Sequence, residues 1–241
     1  MPSADLSKIG AQSYSFRHFD TAGAIHCLDE LGLGFMEFCA VHFPPDANDP
    51  GLAAVKGLIS EHKIQVPCYG VESYTEDAAL NRRKFEFAKA LGVEILTADP
   101  TPEAFESLDV LCEEFQIKIA IHNHGPKARY DRVEDTLNAI NGHHPFIGAC
   151  VDTGHSIRSG EAPHEVILAL GDRVHSVHLK DWTFDSDETI LGEGDMDMQR
   201  VAEALKEIGF NGPIMMEYEL DVENPVPGMI RGMQHWREIA W

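Results

Sequence analysis

The residues in this chain that could do chemistry collect at the ends of short apolar runs. His122-Asn123-His124 closes one run and Asp152-Thr153-Gly154-His155 the next. His178-Leu179-Lys180-Asp181 follows, and Glu217-Tyr218-Glu219 comes last. An early run carries Glu37, with His42 shortly after it, and another is followed at once by Glu72. Successive side chains on a strand alternate faces, so His122 and His124 share a side, as do His178 and Lys180, and Glu217 and Glu219. A ring of His122, Asp152, His178 and Glu217 would offer two imidazole nitrogens and two carboxylates. Such a set suits Mn²⁺, Zn²⁺, Co²⁺ or Fe²⁺; Mg²⁺ prefers oxygen alone. An open coordination position would then take substrate.

Each residue also has an ordinary use. A strand-end His can be a hydrogen-bonded polar residue, Asp152 can cap the helix after its strand, and Glu217 can pair with an Arg. Four unrelated structural reasons would have to coincide, which favours the metal. Glu37, His42 and Glu72 stand where they could face the same pocket. The pair His143-His144 sits in an expected loop and reads as solvated surface. His18, His26, His62, His164 and His235 lack supporting neighbours, and His175 begins its strand, far from the productive end.

The elements that must position these groups are eight short apolar strands, expected over 9–16, 34–40, 64–71, 93–97, 117–122, 146–152, 174–180 and 213–220. Helical patterns lie between them. Thr101-Pro102-Glu103 makes a helix start, with an N-cap, Pro at the first position and an acid at the positive dipole end. Phe105, Leu108, Cys112 and Phe115 follow at helical spacing, and Val201, Leu205 and Ile208 form another stripe. Gly32, Gly92 and Gly209 stand where helices should stop. Strand and helix alternate at roughly 30 residues per unit, the size of a βαβ repeat. Eight units in 241 residues have the dimensions of an α/β protein of the (β/α)8 TIM barrel type, a single domain over 1–241. In that fold the strand C-termini supply the active site. A doubly wound sheet is disfavoured, because the first strand ends in Tyr14-Ser15-Phe16-Arg17 with no GxGxxG. The longest irregular piece, 181–197 with Gly192 and Gly194, reads as a lid.

Composition bounds the partners. Nineteen Lys+Arg against 40 Asp+Glu give a net charge of −21, which would repel nucleic acid and anionic membranes. The hydrophobic share of 44% is that of a globular chain. No apolar run reaches membrane-spanning length. The start, Met1-Pro2-Ser3-Ala4-Asp5, lacks the pattern of a signal peptide. The five Cys are odd in number and scattered, so they read as buried thiols in a reducing compartment, and a cytoplasmic location is expected.

Taken together, the Asp152-Thr153-Gly154-His155, His178-Leu179-Lys180-Asp181, Gly192-Glu193-Gly194-Asp195 and Glu217-Tyr218-Glu219 motifs resemble the xylose isomerase-like TIM barrels. More narrowly, the chain resembles their sugar phosphate isomerase/epimerase group, from Gln12-Ser13-Tyr14 to the final helix. The resemblance implies a barrel with one divalent metal, often Mn²⁺, whose ligands fall here on His122, Asp152, His178 and Glu217. It also implies that His155 meets the substrate and that Lys180 and Glu193 line the pocket. One departure matters. Ketose epimerases of this kind typically carry Glu at the strand-five position, working with the strand-eight Glu as an acid/base pair; here that position is His122. An imidazole held by a metal has no lone pair for a proton, which leaves His124, His155 or Glu72 as the spare base.

The expected activity is metal-dependent isomerisation or epimerisation of a sugar, leaning to an unphosphorylated one. It would run through an enediolate formed by proton abstraction next to a carbonyl, with Glu217, His155, Lys180 and His124 as catalytic groups. Glu37, His42, Glu72 and Glu193 would bind substrate. Loss of a β-hydroxyl from the same enediolate would make the enzyme a keto-sugar or keto-inositol dehydratase instead. The apurinic endonucleases share the fold, but the −21 charge and the absence of further His and Glu ligands speak against them. A non-catalytic sugar- or metal-binding barrel is the remaining alternative. The partner expected is a small carbohydrate or keto-sugar, with a homodimer possible through exposed helices.

Overall fold

A computed structural model describes residue 6 and residues 8–185 and 187–240. The Met1–Asp5 start, read above for a leader, lies outside the described residues, as does Ser186 within the expected lid. The strands are β1 Ile9–Gln12, β2 Met36–Glu37, β3 Cys68–Tyr74, β4 Ile95–Pro100, β5 Lys118–His122, β6 Ile147–Asp152, β7 Val174–Leu179, β8 Asp181–Trp182, β9 Glu188–Thr189 and β10 Ile214–Met216. Eight of them form one parallel sheet in the order β2-β1-β10-β7-β6-β5-β4-β3. The bridges Phe35↔Gln65 and Phe38↔Tyr69 span the gap between β2 and β3 and nearly close the ring. The fold is therefore the expected (β/α)8 barrel. The remaining two strands, β8 and β9, pair antiparallel as a hairpin after β7.

The helices are α1 Thr21–Leu31, α2 Leu52–Glu61, α3 Ala78–Leu91, α4 Phe105–Phe115, α5 Val133–Ile140, α6 Thr153–Arg158, α7 Pro163–Leu170, α8 Met198–Glu207 and α9 Val226–Ala240. Gly32 and Gly92 end α1 and α3 in the left-handed conformation, with φ of 66° and 88°, which a residue with a Cβ adopts only at a cost. The start at Thr101 differs in detail: a 3₁₀ turn, Pro102–Ala104, comes first, and α4 begins at Phe105. On α8 the buried stripe is Met198, Val201, Ala202, Ala204 and Leu205. Each large apolar side chain buried in this way contributes about 1.5–3 kcal/mol.

The barrel has two apolar layers. A small inner set, Cys68, Ile95, Ala120 and Cys150, fills the axis. A far larger set lies between strands and helices, including Phe38, Tyr69, Leu96, Ile121 and Val177. All five cysteines are buried and free, as expected.

Strand lengths fall short of expectation at three places: the second run, expected over 34–40, is a strand only at Met36–Glu37. The first run becomes a strand only to Gln12 and then turns as a 3₁₀ segment over Ser13–Phe16. The last run stops at Met216. Even so, Glu217 N–H donates to Leu179 O at 3.0 Å, so the ladder still fixes where Glu217 stands.

Candidate metal centre at the strand C-termini

Register places the expected ring. Asp152 lies beside His178 across β6 and β7, and Met215 lies beside His178 across β10 and β7. His122 Nε2 is 3.1 Å from His178 Nδ1 and 3.6 Å from Asp152 Oδ2. His178 Nδ1 is 3.5 Å from Glu217 Oε2. One ligand atom from each of His122, Asp152, His178 and Glu217 lies within 4.8 Å of all the others.

Asp152 serves as the expected helix cap and leaves one oxygen over. Its Oδ1 accepts the His155 N–H at 2.7 Å and caps α6. Its Oδ2 is buried with no hydrogen-bond partner. A bare buried carboxylate oxygen costs several kcal/mol unless a cation meets it. Two imidazoles and two carboxylates around that orphaned oxygen fit a divalent ion.

The charges agree. Burial pushes His122 down to about 3, so its ring is neutral. Burial opposes ionisation of Asp152, but His155, His122 and Lys180 beside it hold it well below the carboxylate range. Burial likewise opposes Glu217, and Lys180 and His178 outweigh it, bringing Glu217 to about 2. His178 is held well above the ordinary imidazole value: burial works against its cation, but Cys150, Glu37 and Glu217 overcome it. The centre is short of positive charge. A metal would displace the proton from His178 Nδ1, as binding at imidazole generally does.

Lys180 is buried at the edge of the ring. Its Nζ bonds Glu219 Oε1 and lies 3.6 Å from Glu217 Oε2. Burial alone would lower its pKa, but Glu217, Asp152 and Glu219 raise it, so it stays cationic. His124 and His155 stack near His122: their ring centroids lie 4.6 and 5.7 Å from it. Those two imidazoles are themselves 5.7 Å apart.

The four residues expected to bind substrate differ in their surroundings. Glu37 does point inward, but it is fully buried behind His178, whose Nε2 it meets at 2.9 Å. It orients that ring through one oxygen, and its Oε1 is buried without a partner. Glu72 faces outward and pairs with Lys84 of α3 at 2.8 Å. The reason is a register shift in β3 between Tyr69 and Glu72, which puts Glu72 on the same side as Tyr69. His42 packs edge-on to Phe38, and both its ring nitrogens are buried without partners. Burial lowers its pKa. Glu193 bonds Arg231 of α9 and turns away from the ring.

Two groups near the ring, Arg158 and Glu188, are not singled out by the sequence, and Asp181 takes a role the sequence does not show. Arg158 Nη1 lies 2.9 Å from His155 Nδ1, and its guanidinium sits 4.5 Å over the Trp182 ring. Its helical spacing from His155 was the available signal. Glu188 of β9 accepts the Glu219 N–H at 2.7 Å, and burial pushes its carboxyl up to about 7. Nothing in the sequence announces Glu188, because the hairpin that returns it to the ring is a tertiary feature. Asp181 accepts backbone N–H groups from Trp182, Gly192, Gly194 and Met196. The segment expected as a lid is therefore tied at both ends to one carboxylate.

A cavity of about 870 Å³ opens at the opposite, N-terminal face, where Lys8, Lys118 and His175 line it. It lacks the convergent ligand set, so size does not locate the site here. No helix among the described residues is long and apolar enough to cross a membrane. His143 and His144 depart from the solvated reading: both are partly buried and bond Asp109 and Glu113 of α4.

The family model for the xylose isomerase-like TIM barrel matches residues 26–239. The chain belongs to that family. An inosose dehydratase of Clostridium botulinum is 27% identical over 154 residues, covering 55% of this chain and 51% of that protein. A rhizopine catabolism protein of Rhizobium meliloti is 27% identical over 141 residues, covering 51% of this chain and 43% of that protein. The chain spans about half the length of such curated relatives. Among solved structures, a protein of Parabacteroides distasonis is 26% identical with a TM-score of 0.75, covering 96% of this chain and 98% of that one. A D-psicose 3-epimerase of Clostridium cellulolyticum, 14% identical with a TM-score of 0.76, covers 97% of this chain and 99% of that one and shares the fold. Curated relatives thus carry the dehydratase name, and a structure named as an epimerase shares the fold.

Proposed function

We propose that this barrel is a divalent-metal enzyme that removes a proton next to the carbonyl of a small polyhydroxylated ketone. The observation that carries the reading is the convergence of His122, Asp152, His178 and Glu217 beside a buried cationic Lys180. Those four residues would hold the ion, with Mn²⁺ expected and Zn²⁺, Co²⁺ or Fe²⁺ chemically acceptable. When bound, it would act as a Lewis acid that polarises the carbonyl.

The chain's own groups supply the rest. Glu217 is ionised at neutral pH and takes the α-proton. Lys180 is a fixed cation beside it and stabilises the oxygen that gains charge in the enediolate. His124 is half-buried beside the ring and can hand a proton to a leaving hydroxyl or take one back. His155 contacts the substrate from the adjacent position.

Dehydration of a keto-inositol or keto-sugar is the outcome this arrangement supports best. Two-faced epimerisation wants a second free carboxylate opposite the first. Among the described residues, Glu37, Glu72 and Glu219 are bound to His178, Lys84 and Lys180, and Glu188 accepts the Glu219 N–H with its carboxyl pushed up to about 7 by burial, so it is part-protonated at neutral pH. Relatives named inosose dehydratase point the same way. Isomerisation is the second reading, since one carboxylate can also return the proton to the neighbouring carbon of the same face, and epimerase-named structures share the fold.

The deciding experiment is incubation of the metal-loaded protein with keto-inositols and keto-sugars in D2O, followed by mass spectrometry. Loss of one water identifies the dehydratase. Deuterium uptake without loss of water identifies the isomerase or epimerase. Neither change, with any substrate or any of the four metals, overturns the enzymatic reading.

A further inference from the structure

Three of the chain's motifs lock together around His155. Arg158, one turn along α6, brings Nη1 to 2.9 Å from His155 Nδ1. Its guanidinium lies on the face of Trp182, 4.5 Å from the ring centroid, from the segment after β7. Gly125, after β5, leaves the space it occupies: a Cβ there would stand 2.7 Å from Arg158 Cζ and 2.8 Å from Nη1. Gly154 does the same on the other side, where a Cβ would collide with Trp182 Cδ1 and stand 2.9 Å from Lys180 Cγ. Two glycines, an aromatic face and one helical turn therefore hold one guanidinium against one imidazole nitrogen. Among the described residues no carboxylate lies within ion-pair distance of Arg158, so the His155 contact is what its charge and geometry serve.

The chemistry of that contact has one solution. Arginine has five N–H donors and no acceptor, and it does not lose its proton in a protein. Nδ1 of His155 must therefore present a lone pair. A neutral ring then carries its hydrogen on Nε2, and a doubly protonated ring would point N–H against N–H. We infer that Arg158 is a positioning residue that locks His155 as the Nε2–H tautomer, making His155 a hydrogen-bond donor to a substrate oxygen and not a base. The substrate half of this statement rests on the reaction proposed above; the tautomer does not. It narrows the choice of base to Glu217 and His124, because the one lone pair His155 could offer a proton is taken.

The test is histidine ¹⁵N NMR on the full chain, metal-free and again loaded with diamagnetic Zn²⁺. The His155 signal is assigned by its loss in His155→Gln. Wild type should show a single Nε2–H tautomer at His155. In Arg158→Met, which keeps an apolar stem on Trp182 and removes every donor, the ring should become a mixture of tautomers. With an active substrate, kcat should fall about 10- to 100-fold at little changed KM, the usual size for losing a partner that orients a histidine. Arg158→Lys keeps a cationic donor and should restore the tautomer and much of the rate. A wild-type His155 with its proton on Nδ1 overturns the inference, as does an unchanged tautomer in Arg158→Met or no recovery in Arg158→Lys. The spectrum needs no substrate, so absence of turnover would count against the proposed reaction alone.

Discussion

His178 Nε2 meets a Glu37 oxygen at 2.9 Å, and this single bond decides which nitrogen of His178 faces the barrel axis. With Nε2–H given to a carboxylate, Nδ1 is left toward His122 and Glu217. Carboxylates behind metal-ligating histidines fix ring orientation and raise basicity. Glu37 does this from β2, on the far side of the ring, so a residue early in the chain sets the geometry of one late in it.

Glu37→Gln should keep the fold and weaken the centre. The amide oxygen can still accept from Nε2–H, but the negative charge is gone. Metal affinity, measured by competition with a fluorescent chelator, should fall about 10- to 100-fold. Unchanged affinity would show that Glu37 is only a packed polar group.

Metal addition should stabilise the protein. At a free concentration one hundred times Kd, binding adds about 2.7 kcal/mol. For a chain of this size that is a rise in Tm of about 5–10 °C. Calorimetry with Mn²⁺ or Co²⁺ checks it, with reversal by a chelator. Asp152→Ala should abolish both the shift and turnover; a shift retained in that variant would place the ion elsewhere.

Lys84→Met should damage stability and spare the metal. Its Nζ lies 2.8 Å from Glu72, and both side chains are about nine-tenths buried. Removing one partner of such a pair leaves an uncompensated charge and costs about 3–5 kcal/mol. Urea denaturation should show that loss while metal affinity per folded molecule stays the same. A change in affinity would return Glu72 to the pocket.

Glu188 gives a pH dependence with a definite sign. Its carboxyl rises from 4.5 to about 7, with burial as the leading cause. The folded state therefore holds a proton that the unfolded chain releases. That contribution is complete below pH 4.5, shrinks as pH rises, and is lost once pH passes about 7. Glu188→Gln cannot lose a proton there. Denaturation of the metal-free proteins should show the variant gaining on wild type as pH goes from 4.5 to 8. A pH-independent difference would mean that Glu188 titrates normally.

What was legible in the sequence is what repeats locally. Alternation of strand and helix needs only short-range periodicity, and eight repeats in this length leave the barrel as the closed solution. Strand ends in a barrel converge whatever the details, so His122, Asp152, His178 and Glu217 could be named as a set before their distances were known. Long-range pairing was not legible. Glu72 lost its expected side because one extra residue in β3 flips the alternation, and nothing in Tyr69–Glu72 declares it. Glu37 kept its side but meets His178, because the order β2-β1-β10-β7 that brings the two strands to one side of the barrel is a property of the closed sheet. Arg158 and Glu188 reach the centre only through α6 and the β8–β9 hairpin. The sequence by itself thus determined which residue types stand at the strand ends, through their repeating positions. Tertiary structure alone decided which oxygens and nitrogens face one another, because register and loop return are properties of the closed sheet.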